Sequence, residues 1–240
     1  MFRATLVYFF IGFFVLLLAP FGLLRAVCTK DAHMLFCLTR FCIRGAGWIA
    51  GVRVNIEGLE KIDPARTCVF LSNHQGNFDG PVLLHVLGRD LRALIKMEMM
   101  RLPVLSLILR VADFVPLERT NPKQARYGIE QGVRLIKKGK SFFAFPEGTR
   151  SRDGSLGEFK KGVFIMAIQA EAPVVPITII NSAAIQPPGS YGIRPGCIHV
   201  VIHDPIETRG MTFEDRDTLI LQTRTAIASA LKGKPVKYPG

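Results

Sequence analysis

Past Gly51 the chain alternates short runs rich in β-branched and aromatic residues with helical stretches, and that alternation narrows its fold more than any other feature. Strands are expected at Val52–Glu57, Thr67–Ser72, Ala93–Lys96, Phe114–Leu117, Ser141–Phe145, Val174–Ile180 and Ile198–His203. Helices are expected at Gly80–Val86, Val104–Val111, Pro122–Lys138, Lys161–Ala170 and Phe213–Leu231. Short strands interleaved with helices read as an α/β domain. The run Cys68–Leu71 is apolar throughout, as a strand covered on both faces should be. In open α/β sheets ligands sit beyond the carboxyl ends of the strands, so the residues that follow each strand are where chemistry is sought.

Residues 1–50 follow a different rule and are expected to form membrane-anchoring helices ahead of a domain spanning 51–240. Ala4 to Leu24 carries no charge, and about 20 apolar residues suffice to cross a bilayer. Ala32 to Ala50 is also apolar but holds Arg40 and Arg44, four apart and therefore on one helix face. A basic stripe opposite Phe and Trp residues suits a helix lying in the headgroup plane. The two segments read as a helical pair, leaving open insertion of both into one leaflet, a true span by the first, or a purely soluble core helix. The first two place the protein at a membrane, expected to be the cytoplasmic face of the inner or plasma membrane.

Lys and Arg number 31 against 19 Asp and Glu, a net charge of +12. Such a balance suits anionic lipid, a phosphorylated substrate or an acidic partner protein. Nucleic acid would attract the same charge, but no interleaved basic–aromatic module accompanies it, and no nucleic-acid partner is expected. The five cysteines form no C-x-x-C pair and are odd in number, which argues against a disulfide scaffold and a zinc ribbon. The five histidines form no ligand cluster, so no metal site is expected.

Two strand ends carry chemistry. After Leu71 comes Ser72-Asn73-His74-Gln75-Gly76-Asn77-Phe78-Asp79, an imidazole with a carboxylate five residues on. On a continuous helix those two side chains would diverge by about 140°. A turn would bring them together, the Asp holding one ring nitrogen and leaving the other as a base. The alternative is that Asp79 caps the helix starting at Gly80-Pro81 and His74 is only a turn residue. The second place is Phe145-Pro146-Glu147-Gly148-Thr149-Arg150-Ser151, where Pro146 and Gly148 suit a tight loop and Arg150 offers a planar fork for phosphate. Lys96 and Arg119, at two other strand ends, and Lys160-Lys161 add cations. A G-x-S-x-G nucleophile elbow is absent from the sequence.

These residues resemble the glycerolipid acyltransferases. Asn73-His74 with Asp79 matches their H-x-x-x-x-D motif, and Phe145 to Ser151 matches F-P-E-G-T-R-S without a change. Val115-Pro116-Leu117-Glu118-Arg119 is similar to the block that ends in a phosphate-binding Arg, and Val175-Pro176-Ile177-Thr178-Ile179 to the fourth, V-P-x-x-I. Lys96 falls where the family often carries a lysine. The resemblance covers Val52 to Asn181 and is strongest to the 1-acyl-sn-glycerol-3-phosphate acyltransferases, whose bacterial members also have an N-terminal helical pair. Two positions depart: Gly76 stands where Ser is usual, and Asp113 where Gly often opens the second block.

The resemblance implies a mixed, largely parallel sheet flanked by helices. It implies an enzyme that moves a fatty acyl group from a thioester to the sn-2 hydroxyl of 1-acyl-sn-glycerol-3-phosphate, giving phosphatidate. The donor would be acyl-CoA or acyl carrier protein, with no cofactor. His74 and Asp79 would be catalytic, and Lys96, Arg119, Glu147, Gly148, Thr149 and Arg150 would bind substrate. Glu147 has two readings, holding the acceptor glycerol or bracing the loop. Other classes stay open: another acceptor (glycerol-3-phosphate, a lyso-ornithine lipid or another lysophospholipid), or a non-catalytic basic tether.

Overall fold

A computed structural model of the chain describes residues 2–118, 121–151 and 153–232. The elements follow in the order α1 (Phe2–Leu17), α2 (Ala19–Thr29), α3 (His33–Ala50), β1 (Val52–Glu57), β2 (Val69–Ser72), α4 (Asp79–Val86), β3 (Arg92–Lys96) and α5 (Pro103–Val111). There follow β4 (Val115–Leu117), α6 (Pro122–Lys137), β5 (Phe142–Ala144), α7 (Gly162–Ala170), β6 (Val174–Ile180), α8 (Ser182–Ile185), β7 (Gly196–Ile202) and α9 (Arg216–Lys232). Each expected strand is present within a residue or two at its ends. Helix boundaries also follow local chemistry: α6 starts at Pro122, and the Asn121 side chain accepts from the N–H groups of Lys123 and Gln124.

The seven strands form one sheet in the order β1-β7-β6-β2-β5-β3-β4. All pairings are parallel except β6 with β7, so the sheet is mixed and largely parallel. β2 is wholly buried, as its apolar run requires. Successive side chains in the pleat serve opposite layers. Phe70, Phe143, Val175 and Ile177 face a cluster with Val82, Leu83 and Leu109 of α4 and α5. Val69, Leu71, Phe142 and Val174 face Ile129, Phe164, Met166, Leu219 and Ile227 of α6, α7 and α9. Topology then places the site. β5 returns to lie between β2 and β3, and all three run the same way, so the segments after β2 and β5 and the last residue of β3 meet at one edge.

The amino-terminal segment departs from expectation. The uncharged run is two helices, α1 and α2, bent by 40° at a break that falls at Leu18, with Pro20 in the first turn of α2. Proline is tolerated there because first-turn N–H groups have no intrahelical partner. Among the described residues no single helix is long and apolar enough to cross a membrane, though α1 and α2 together have the length and composition. Ala4, Val7, Ala46 and Ala50 are buried in the same cluster as Phe70 and Val82, so α1 and α3 share the core of the sheet domain. The basic stripe on α3 is also split. Arg44 is exposed, whereas Arg40 turns onto Asp90, 3.1 Å away, because a fixed carboxylate outcompetes solvent for its guanidinium.

Candidate active site

The turn after β2 brings His74 and Asp79 together. Asp79 is the first residue of α4, yet its side chain does not cap that helix. It points back, and Oδ2 lies 2.7 Å from His74 Nδ1 while accepting the backbone N–H groups of Gln75 at 2.6 Å and Gly76 at 2.8 Å. Three donors on one oxygen pin the carboxylate and fix the ring's orientation, with Nε2 left over. Asp79 is fully buried and the His74 side chain is 21% exposed, so the carboxylate is sealed in while the imidazole reaches the surface. The Phe145 ring stacks on it, centroids 3.9 Å apart and planes within 13°. That makes Phe145 a further site residue; its place at the head of the second motif hinted at it, but the contact depends on β5 lying beside β2.

Asn73 explains its place before the histidine. Its side chain, almost wholly buried, accepts from the N–H of Ile179 at 2.7 Å and donates to its carbonyl at 2.8 Å, stapling the turn to β6. Gly76 has a packing reason: a Cβ there would lie 2.7 Å from the Ser182 backbone, closer than any side chain tolerates. The Ser usual in the family does not fit against this α8. Asp113 adopts φ 57° where the family often has Gly, and its carboxylate meets Arg92 Nη2 at 3.3 Å. Asp is among the residues best able to occupy that left-handed conformation.

The loop after β5 is tied to the first one. Gly148 has φ 73°, and its N–H donates to Phe145 O at 3.0 Å in a tight turn. Ser151 N–H donates to His74 O at 2.8 Å. Buried Glu147 accepts from the N–H of His74 at 2.9 Å and, with its other oxygen, from the N–H of Gly157 at 2.8 Å. Both oxygens therefore brace loops. Burial pushes this carboxyl above the usual carboxylate range, and the two N–H donors oppose that shift. The Arg150 guanidinium donates to Asn77 Oδ1. Asn77 in turn is linked to the amino-terminal helices, because its N–H donates to Gln186 O and the Gln186 amide donates to Tyr8 of α1. Nothing in the sequence pointed to Asn77 or Gly157.

A groove of about 750 Å³ opens over His74. Lys96, Arg150, Lys160 and Gly148 line it beside an apolar wall that includes Ile95, Leu109, Phe143 and Phe145. Cations over an apolar trough suit a molecule with an anionic head and an apolar body. Thr149 is exposed and does not line the groove. Arg119 lies outside the described residues.

Sheet and site together define an α/β protein whose histidine–carboxylate pair faces a cation-lined apolar groove. A family model described as Acyltransferase matches residues 53–180, and the chain belongs to that family. It is 42% identical over 156 residues to the chloroplastic 1-acyl-sn-glycerol-3-phosphate acyltransferase BAT2 of Brassica napus, covering 64% of this chain and 45% of that protein. It is 31% identical over 205 residues to a 1-acyl-sn-glycerol-3-phosphate acyltransferase of Pseudomonas aeruginosa, covering 83% of this chain and 75% of that one. The matched part spans about half the length of the plant chloroplast relatives, 45% of BAT2 and 49% of LPAT1 from Arabidopsis thaliana. In fold it matches the crystal structure of the 1-acyl-sn-glycerophosphate (LPA) acyltransferase PlsC from Thermotoga maritima, with a TM-score of 0.80 at 23% identity, over 100% of this chain and 99% of that one.

Proposed function

We propose that the protein is a membrane-bound O-acyltransferase moving a fatty acyl group from a thioester to the sn-2 hydroxyl of 1-acyl-sn-glycerol-3-phosphate, giving phosphatidate. The observation that carries this reading is the His74–Asp79 pair opening onto a groove lined by Lys96 and Arg150. His74 Nε2 takes the proton of the acceptor hydroxyl as that oxygen attacks the thioester carbonyl. Asp79 holds the imidazole and stabilises the imidazolium; a positioned base of this kind contributes about 10²–10⁴ in rate. The new C–O bond leaves a tetrahedral oxyanion, which collapses to the ester as the C–S bond breaks, and the leaving thiolate takes the proton back from His74.

Arg150 and Lys96, with Arg119 by resemblance, hold the acceptor phosphate and so fix the hydroxyl near the base, which converts binding into orientation. Gly148 shapes the turn that carries Arg150, and Glu147 acts as a brace rather than a substrate ligand. The apolar trough receives hydrocarbon. Membrane attachment rests on the exposed apolar side chains of the first three helices, among them Phe2, Phe9, Phe13, Phe21, Leu24 and Trp48, the last 84% exposed. A surface this apolar on a soluble monomer would aggregate, whereas an interfacial helix needs it.

The test is a purified-protein assay that offers lysophosphatidate, glycerol-3-phosphate, lyso-ornithine lipid and lysophosphatidylcholine with both acyl-CoA and acyl carrier protein donors, products read by mass spectrometry. Phosphatidate as the main product supports the reading. A different main product, or none, overturns it.

A further inference from the structure

A second histidine–carboxylate pair stands at the opposite end of the sheet. His33 opens α3, its backbone N–H held by Asp31 Oδ1 at 3.0 Å and its ring Nδ1 lying 2.9 Å from Asp90 Oδ2. The other ring nitrogen, Nε2, lies 3.5 Å from Cys37 Sγ. His33 and Cys37 are four residues apart on one helix, hence neighbours on one face. Arg40, nearly one turn on, donates one nitrogen to Asp90 Oδ1 at 3.1 Å and another to Cys37 Sγ at 3.2 Å. Cys37 is exposed. An accessible thiol thus has a base beside it, a carboxylate orienting that base, and a guanidinium placed to stabilise a thiolate, which is the environment of a nucleophilic cysteine.

The cluster is separate from the candidate active site. Asp90 lies in the turn before β3, at the amino-terminal edge of the parallel strands, whereas His74 follows the carboxyl end of β2. Next to it opens a cleft of about 320 Å³ whose wall includes His33, Arg66, Arg89, Asp90, Arg92 and Lys140. Arg66 is paired with Glu207 and Arg92 with Asp113, but Arg89 bonds to the carbonyl oxygens of Asp63, Pro64 and Arg66 and so keeps its positive charge. Arg92 Nε, buried, has no partner. The cleft favours an anion.

We propose that Cys37 is an acyl-accepting thiol, loaded from a long-chain acyl thioester whose phosphorylated head lies in this cleft. The identity of that ligand rests on the thioester donor of the proposed function; the thiol site itself does not. His33 Nε2 takes the Cys37 proton, the sulfur attacks the thioester carbonyl, the donor C–S bond breaks, and the leaving thiolate takes the proton from His33. One thioester replaces another, and no oxidant or reductant is needed. An acyl chain on α3 would add a second membrane signal to the apolar helices around it, since one hydrocarbon chain alone anchors only weakly.

The experiment incubates the purified full-length protein with palmitoyl-CoA without any acceptor and reads adducts by intact mass and peptide mapping. Cys28, also exposed, is the internal reference. One hydroxylamine-labile palmitoyl group on Cys37, formed about tenfold or more faster than on Cys28, is expected. Cys37→Ser abolishes it, His33→Gln and Asp90→Asn each slow it to the Cys28 rate, and His74→Ala leaves it intact. Equal labelling of both cysteines, Cys37 labelling unmoved by His33→Gln, or no adduct overturns the inference. Wild-type protein that makes phosphatidate without labelling Cys37 fails only this inference; labelling without phosphatidate fails only the proposed function.

Discussion

Asp79 Oδ2 holds the His74 ring at 2.7 Å and, with the same oxygen, accepts the backbone N–H groups of Gln75 and Gly76. One atom therefore sets both the shape of the turn and the direction of the base. In Asp79→Asn a carbonyl oxygen can keep all three donors, while the charge that stabilises an imidazolium is gone. The new amide nitrogen takes the place of Oδ1, which is buried without a partner. The expected result is a folded protein less stable by about 1–3 kcal/mol, with kcat down about 10²–10⁴-fold. Denaturant unfolding and steady-state kinetics check the two numbers; unchanged kcat contradicts the role given to the carboxylate.

Gly76→Ser restores the residue usual in the family, yet is expected to destabilise this chain. The added Cβ would meet the Ser182 backbone at 2.7 Å, and backbone yields less readily than a flexible side chain. Overpacking of this kind costs about 1–3 kcal/mol. Urea denaturation of the variant reads the loss directly, and wild-type stability would show that α8 moves freely.

Arg150 is held by Asn77, a neutral acceptor that leaves its charge available. Arg150→Ala is expected to raise the KM for the lysolipid about tenfold to a hundredfold, the worth of a charged hydrogen bond, with little change in the donor KM. Asn77→Ala should produce a smaller rise of the same kind by releasing the guanidinium. Equal effects on both substrates would count against phosphate binding.

Two histidines give a pH dependence of stability. Burial lowers the pKa of His85, helped by Arg44, and burial lowers that of His203, helped by Lys61, each below its ordinary value of 6.5. A histidine depressed in the folded state is neutral there while the unfolded chain protonates. Its stability is thus fully present above pH 6.5 and declines as pH falls from that value toward the lowered one. His203 Nε2 also lies 2.8 Å from the Thr178 hydroxyl, which itself donates to Ile227 O at 3.1 Å, so the neutral ring is the donor. Melting temperatures measured from pH 8 to pH 5 should fall more steeply in wild type than in the His85→Gln/His203→Gln double variant. Parallel curves would contradict this.

Much of the sheet was legible because its strands are apolar runs bounded by turn residues, as at Val69–Ser72 and Val174–Ile180. The break in the uncharged segment carried a local signal, Pro20, but composition alone made the run look continuous. The His74–Asp79 contact was not decidable from spacing, because five residues separate the two on a helix and join them only across a turn. The amphipathic position of Arg40 on its helix predicts a side chain facing lipid headgroups; Asp90, fifty residues away in sequence, decides otherwise. The stacking of Phe145 on His74 and the bond from Arg150 to Asn77 depend on strand order, which is a property of the folded sheet. Local pattern names the elements; only the return of β5 between β2 and β3 brings their ends together.

The most direct measurement is single-turnover acyl transfer to lysophosphatidate by His74→Ala, beside wild type, in lipid vesicles. The account predicts that the variant binds vesicles as wild type does and transfers acyl groups about 10²–10⁴-fold more slowly. Transfer at the wild-type rate would contradict it, because a proton would then leave the acceptor without the imidazole that the fold holds at the groove.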